Sequence, residues 1–233
     1  MYRSDALNTL RYFAHCRGVA SSRWGDGDIV DRIIQNHYDA RMARPKEFER
    51  EDVLEQAIKV FSNRGFAGAS TDAVLEAMRI SRQSMYDTFG GKRQLYLEAL
   101  SRYNDGSIAA IVQSVESAAT PLAGVTAALL DFAARPAPDA ALGCLGVGSI
   151  CEFGVSDAEV TQVNEASAHR LAKTFERALA AAQRAGEVDA DLNVRSAALF
   201  IVTVLTGMKV AARGGAARPA LRDMARMALR SLR

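Results

Sequence analysis

From Phe48 onward the apolar residues recur at three- and four-residue spacing, a period that only a helix can turn into one buried face. Val53, Ala57, Val60 and Phe61 stand at i, i+4, i+7 and i+8, and Leu54 and Ile58 widen the stripe. Alternating runs rich in Val, Ile, Tyr and Thr are missing, so the fold class expected is all-α. The spacing predicts a first helix over 49–64, stopped by Gly65, where a positive φ costs glycine little. Ser70 or Thr71 caps a second helix with Val74, Leu75 and Met78 inward. Ser81 caps a third, anchored by Met85 and Phe89 and ended by Gly90-Gly91. A fourth opens near Lys92 and carries Leu95, Leu97 and Leu100.

Beyond residue 104 the pattern is of long helices with alanine-rich faces. Thr120-Pro121 opens one that runs to about Ala134, and "RPAPDA" is a loop. Residues 142–153 form the next, and Ser156-x-x-Glu159 reads as a capping box for a helix reaching about Ala185 before Gly186. Asn193 or a neighbour caps a helix to about Arg213, and Pro219 starts the last one.

Residues 1–41 differ from the rest. They hold the single Trp and two short helical patterns without evident partners, whereas Met42 opens a stretch that looks like a natural start. They read either as an N-terminal extension that is not native or as a small helical arm. The remaining division expected is 42–95 and 96–233.

A net charge of +2 excludes a uniformly basic nucleic-acid binder but leaves room for a local basic patch. The three cysteines, Cys16, Cys144 and Cys151, are too few and scattered for a secreted disulfide framework. The longest uncharged apolar run, between Arg195 and Lys209, falls short of the ~20 residues of a membrane span. A cytoplasmic chain without a membrane partner is expected. The histidines, His15, His37 and His169, are isolated, and no nucleophile, P-loop or metal-ligand spacing occurs, so neither a catalytic residue nor a metal or other cofactor is expected.

The second and third helices, with apolar Ile80 in the break between them, form a helix–turn–helix. The third is too short to be kept for burial alone, and its outer face begins with Arg82, Gln83 and Ser84. A major groove admits one helix, read by its first residues; Arg forks onto guanine and Gln onto adenine. Tyr86 and Thr88 offer hydroxyls to phosphates, and Thr71 and Lys92 stand near helix N-termini that favour an anion. Spacing alone leaves a second reading open, a structural helix–turn–helix that never meets DNA.

Residues 48–100 resemble the DNA-binding domain of the TetR/AcrR family of bacterial transcriptional regulators. The resemblance rests on "VLEQAIKVFSNRGFAGAST" and "DAVLEAMRISRQSMYDTFGGKRQLYLEAL", with Phe61, Gly65-Phe66, Thr71, Ile80-Ser81, Met85-Tyr86, Phe89, Gly91-Lys92 and Leu95 in order. It implies a homodimer whose N-terminal three-helix heads read a palindromic double-stranded operator and whose C-terminal helical domains bind a small-molecule effector. It also implies base reading by Arg82, Gln83 and Ser84 and phosphate contacts by Thr71, Tyr86, Thr88 and Lys92. The chain departs from the family at Arg79, where glycine is common, and at Asp87, where a basic or neutral residue is usual.

The function expected is therefore a ligand-responsive regulator, foremost a repressor released from its operator by an inducer. A thiol-based redox sensor and a helical small-molecule-binding module without DNA binding are the alternatives. The pocket is expected between the helices of 107–175, with Phe132, Leu145, Cys151, Phe153 and His169 as lining candidates. Glu152 either meets a cationic ligand there or turns to solvent. Pairing is expected along the helices near 157–185 and 193–213, through Leu171, Phe175, Leu199 and Val202. Cys144 and Cys151, seven apart on one helix, sit about 10 Å apart by helical rise, too far for a direct disulfide without distortion.

Overall fold

The computed structural model describes residues 49–135 and 143–233. The segment 1–41 lies outside them. Among the described residues there are nine helices and no strand: α1 (Arg50–Gly68), α2 (Thr71–Met78), α3 (Arg82–Phe89), α4 (Lys92–Glu116), α5 (Pro121–Ala134), α6 (Leu145–Phe153), α7 (Ala158–Arg184), α8 (Val194–Arg213) and α9 (Arg218–Arg230).

The helix ends follow local chemistry. Ser70 Oγ accepts the Ala73 N–H, Ser81 Oγ the Ser84 N–H, and Asn193 the Ser196 N–H. Each satisfies one N–H that the first turn of a helix leaves without an internal partner. One expected cap is displaced. Asp157, not Ser156, caps α7 by accepting the Val160 N–H, while Ser156 donates its hydroxyl back to Phe153 O at 2.6 Å. A carboxylate suits this place better because the same group also receives Arg93 from α4, at 2.7 and 3.0 Å.

Two apolar cores organise the chain. The first joins α1–α4 through Val53, Leu54, Phe61, Val74, Met78, Met85, Phe89, Leu95 and Leu100. Leu145 of α6 and Val160 of α7 are buried in this same cluster, so it is not closed at residue 95. The 25-residue α4 runs straight through that position, and the reading head shares its longest strut with the body. The second core packs α5, α7, α8 and α9 around Val125, Leu129, Phe132, Phe175, Leu179, Ile201, Leu205 and Leu221, with Ile111 and Val115 of α4. By length and composition alone α8 is apolar enough to cross a membrane, more so than its uncharged run suggested. Ala198, Ile201, Leu205 and Met208 on it are buried in the second core.

Helix α1 is broken near its end. Gly65 has φ 70° and ψ −177°, a combination that only glycine adopts without strain, and the two N–H groups that follow lose their helical acceptors. Glu152 of α6 replaces them: its carboxylate accepts Phe66 N–H at 2.8 Å and Ala67 N–H at 2.7 Å. A Cβ on Gly65 would stand 2.7 Å from Glu152 Oε2.

Two outcomes follow from these contacts. Gly65→Ala combines backbone strain with displacement of the carboxylate and should cost about 1–3 kcal/mol in chemical denaturation. The second concerns acid. The Arg93 guanidinium and the Val160 N–H hold the Asp157 carboxyl at about 2, below the usual carboxylate range. A depressed folded pKa contributes stability that is present above the ordinary value near pH 4 and is lost as pH falls towards 2. Asp157→Asn should flatten that part of the acid-unfolding curve, followed by circular dichroism between pH 5 and pH 2.

Candidate nucleic-acid interface

The two-helix element is built as its sequence demands. Arg79 ends α2 in the left-handed region, φ 54°, the one non-glycine residue with positive φ among the described residues. Its N–H bonds Glu76 O and the Ile80 N–H bonds Leu75 O, which turns the chain in two residues. Arginine thus occupies a backbone conformation that favours glycine and carries the strain of it. The turn places α3 with Met85 and Phe89 buried and Arg82, Gln83, Tyr86 and Asp87 outward.

The three expected base readers are adjacent on this face, and each has a partner within the head. Arg82 pairs with Asp72 of α2 at 2.6 Å, with the two side chains 55% and 84% exposed. An ion pair this open to water contributes about 0–1 kcal/mol, so it orients Arg82 without holding it. Gln83 donates to Asp87 at 2.8 Å, one turn on. Asp87 therefore aligns the Gln83 amide, a role its unusual presence in the motif did not reveal. Ser84 and Ser81 share a hydrogen bond of 2.9 Å.

The expected phosphate contacts flank this row. Tyr86 is exposed, and its ring lies where Gly91 has no side chain; a Cβ there would stand 3.2 Å from Tyr86 Cε1. Thr71 and Thr88 are half-buried. Helix α4 starts at Lys92 behind Gly91 with no side-chain cap, so its first N–H groups remain available to an anion. Lys92 itself is turned inward. Its Nζ donates to Phe66 O at 2.6 Å and lies 4.2 Å from the Phe66 ring centre. Its half-buried charge thus takes its position from the α1 break.

Of the effector-pocket candidates, Leu145 and Cys151 line one cleft beside the end of α1, and Phe132, Phe153 and His169 lie elsewhere. Phe132 is buried in the second core, whereas Leu145 and Phe153 belong to the first, Phe153 at 5.8 Å from Phe66 and 5.7 Å from Tyr96. His169 lines an open groove between α4 and α7. Cys151 is exposed on α6, and Cys144 is half-buried at its start. Glu152 is exposed, as its solvent alternative had it, and its carboxylate there accepts the Phe66 and Ala67 N–H groups. Its signal in the sequence was an acid inside the apolar run of α6, but the chain it serves lies 85 residues earlier. Of the pairing candidates, Leu199 is exposed and Leu171 and Val202 are half-buried, while Phe175 is fully buried in the second core.

Family models match both halves of the chain: residues 53–99 match the bacterial regulatory proteins of the tetR family, and residues 118–231 the tetracyclin repressor-like C-terminal domain. The HTH-type transcriptional regulator YezE of Bacillus subtilis strain 168 is 33% identical over 155 residues, 64% of this chain and 78% of the relative. The chain belongs to the TetR family. It is a DNA-binding transcriptional regulator. The HTH-type transcriptional repressor ComR of Escherichia coli K12 is 27% identical over 195 residues, 80% of this chain and 90% of the relative. Among solved structures, a cysteine mutant of the TetR family regulator CifR bound to 26-bp operator DNA superimposes with a TM-score of 0.73 at 30% identity. It covers 82% of this chain and 100% of CifR. The reduced form of Escherichia coli NemR shares the fold at 15% identity, with a TM-score of 0.70.

Two substitutions separate base reading from charge. Arg82→Ala should relax preference at one base pair by about 1–3 kcal/mol, while Lys92→Ala should weaken binding to all sequences and reduce the salt slope by about one. Fluorescence anisotropy on matched and single-mismatch duplexes, repeated across salt concentrations, distinguishes the two.

Proposed function

We propose that this TetR-family chain acts as a homodimeric, effector-responsive repressor in the cytoplasm, reading a palindromic operator with α3. The observation that carries this is the row Arg82, Gln83 and Ser84 on the exposed start of α3. Each is positioned by an acceptor that gives way readily to a base edge. Thr71, Tyr86, Thr88 and Lys92 surround the row as phosphate contacts. The repressor sense is supported by the likeness to ComR, and operator binding by the likeness to CifR.

Pairing is supported by unsatisfied apolar surface. Leu199, Phe200 and Val210 on α8, and Met224 and Met227 on α9, are exposed large apolar side chains. One side of α8 is filled by the subunit core, so a second copy is the cover that fits the other side. Leu199 stays in this surface with half-buried Val202 beside it, and α9 replaces α7 as the second helix. Two heads held by one twofold axis match two half-sites about one helical turn apart or a multiple of it. An effector that prefers the conformer with separated heads lowers the DNA-competent population in proportion to its differential affinity.

Phe200→Glu tests the arrangement. It places a charge in the proposed interface without touching either core. Sedimentation at micromolar concentration should show a dimer for the parent and a monomer for the variant. Electrophoretic shift on the DNA upstream of the protein's own gene should be lost in parallel. A dimeric variant, or a monomer that shifts DNA as tightly as the parent, would contradict the arrangement.

A further inference from the structure

A cleft of about 360 Å³ opens where the end of α1 meets α4, α6 and α8. Phe61, Ser62, Asn63, Arg64 and Gly65 form one wall, Tyr96 the floor, Cys144 to Cys151 of α6 the second wall, and Lys209, Val210 and Arg213 the rim. Among the described residues, two buried side-chain polar atoms have no hydrogen-bond partner, Tyr96 Oη and Ser62 Oγ. Both residues line this cleft. Tyr96 is 1% exposed, and burial pushes its hydroxyl well up from the usual tyrosine range, so it stays a proton donor. The Ser149 hydroxyl beside it donates to Gly146 O at 2.7 Å and accepts from Asn164 Nδ2 at 2.8 Å. An orphaned buried hydroxyl is a cost that a protein rarely carries without a use.

Among the described residues the lining holds three cations, Arg64, Lys209 and Arg213, and no Asp or Glu, while Glu152 and Asp157 act on the Tyr96 hydroxyl from outside it. Helix α6 starts at its wall with Cys144 as N-cap and no side-chain cap, which aims a positive helix end at the same space. Phe61 and Tyr96, in edge contact at 5.0 Å, supply an aromatic surface beneath.

We propose that this cleft is the effector site and that it takes a small organic anion with an aromatic or apolar body, its acidic group towards Lys209 and Arg213 and an acceptor on Tyr96 Oη and Ser62 Oγ. This deepens the effector-responsive reading and rests on it. The site adjoins the DNA head directly. Arg213 donates to Asn63 O at 2.9 Å, two residues before the Gly65 break. An anion that draws Arg213 away releases that carbonyl. The disturbance then enters the segment Gly65–Ala67, whose N–H groups Glu152 holds and whose Phe66 carbonyl anchors Lys92.

The experiment uses the full-length protein and benzoate as probe, with benzamide and benzylammonium as neutral and cationic counterparts. Thermal shift and calorimetric titration should give saturable binding of benzoate at about 1 mM, as expected for a fragment of this size. The two counterparts should bind at least ten-fold more weakly. Tyr96→Phe keeps the ring and removes the orphaned hydroxyl. It should raise the melting temperature of the ligand-free protein and at the same time weaken benzoate about ten-fold. A purely structural tyrosine would not give these opposite signs. Lys209→Gln should weaken benzoate several-fold and leave benzamide unchanged. Benzoate binding that ignores both substitutions, or that does not saturate by about 10 mM, overturns the site. DNA binding of the ligand-free protein is measured in parallel by electrophoretic shift. An intact shift with no benzoate binding rejects the cleft and keeps the regulator, whereas absence of the shift rejects the regulator itself.

Discussion

The contact on which the arrangement depends is the pair of hydrogen bonds that Glu152 receives from Phe66 and Ala67. A helix broken at Gly65 exposes N–H groups that must find acceptors. The chain supplies them from a helix of the other half, across 85 and 86 residues of sequence. Charge-assisted bonds to backbone N–H are stronger than neutral ones and directional. The end of α1 is thereby tied to α6, and the Phe66 carbonyl beside it holds Lys92 at the start of α4. Around this point Phe61, Phe66, Tyr96 and Phe153 stack at 5.0–5.8 Å and fill the space between head and body. Arg93 adds a second tie, to Asp157 and Glu159 at the start of α7.

This geometry bears on how a compact head can be both firm and responsive. The proposed base-reading row is held by exposed, exchangeable pairs, which contact with a groove would replace at little cost. The junction behind it is held by the buried rings of Phe61 and Tyr96, the half-buried Phe66 and Phe153, and the Glu152 carboxylate on two backbone N–H groups. The end of α1 and the start of α4 are anchored to the same short segment, Gly65–Ala67. Packed interfaces of this kind switch between arrangements and do not deform smoothly.

Much of the fold was legible because it is local. The 3.6-residue period, the caps at Ser70, Ser81 and Asn193, and the stops at Gly65, Gly90 and Gly186 all act within a few residues of themselves. The misplaced cap before α7 shows the limit: Ser156 fits the local pattern, but a distant arginine favours Asp157. The candidate interface was readable to the level of a face, since exposure of Arg82, Gln83 and Tyr86 follows from burial of Met85 and Phe89. Their restraining partners were not, because Asp72 reaches Arg82 across a turn whose shape the sequence does not state. The body was least legible. Phe175 and Leu199 are both large apolar residues on long helices, and only packing separates the fully buried side chain from the exposed one.

In the proposed arrangement two copies of α3 read one face of a DNA duplex. Hydroxyl-radical footprinting of the full-length protein on the DNA upstream of its own gene checks this. Two symmetric protected patches on one face are expected, centred about one helical turn or a multiple of it apart. A single patch, protection all around the duplex, or none at concentrations where the protein is dimeric would contradict it.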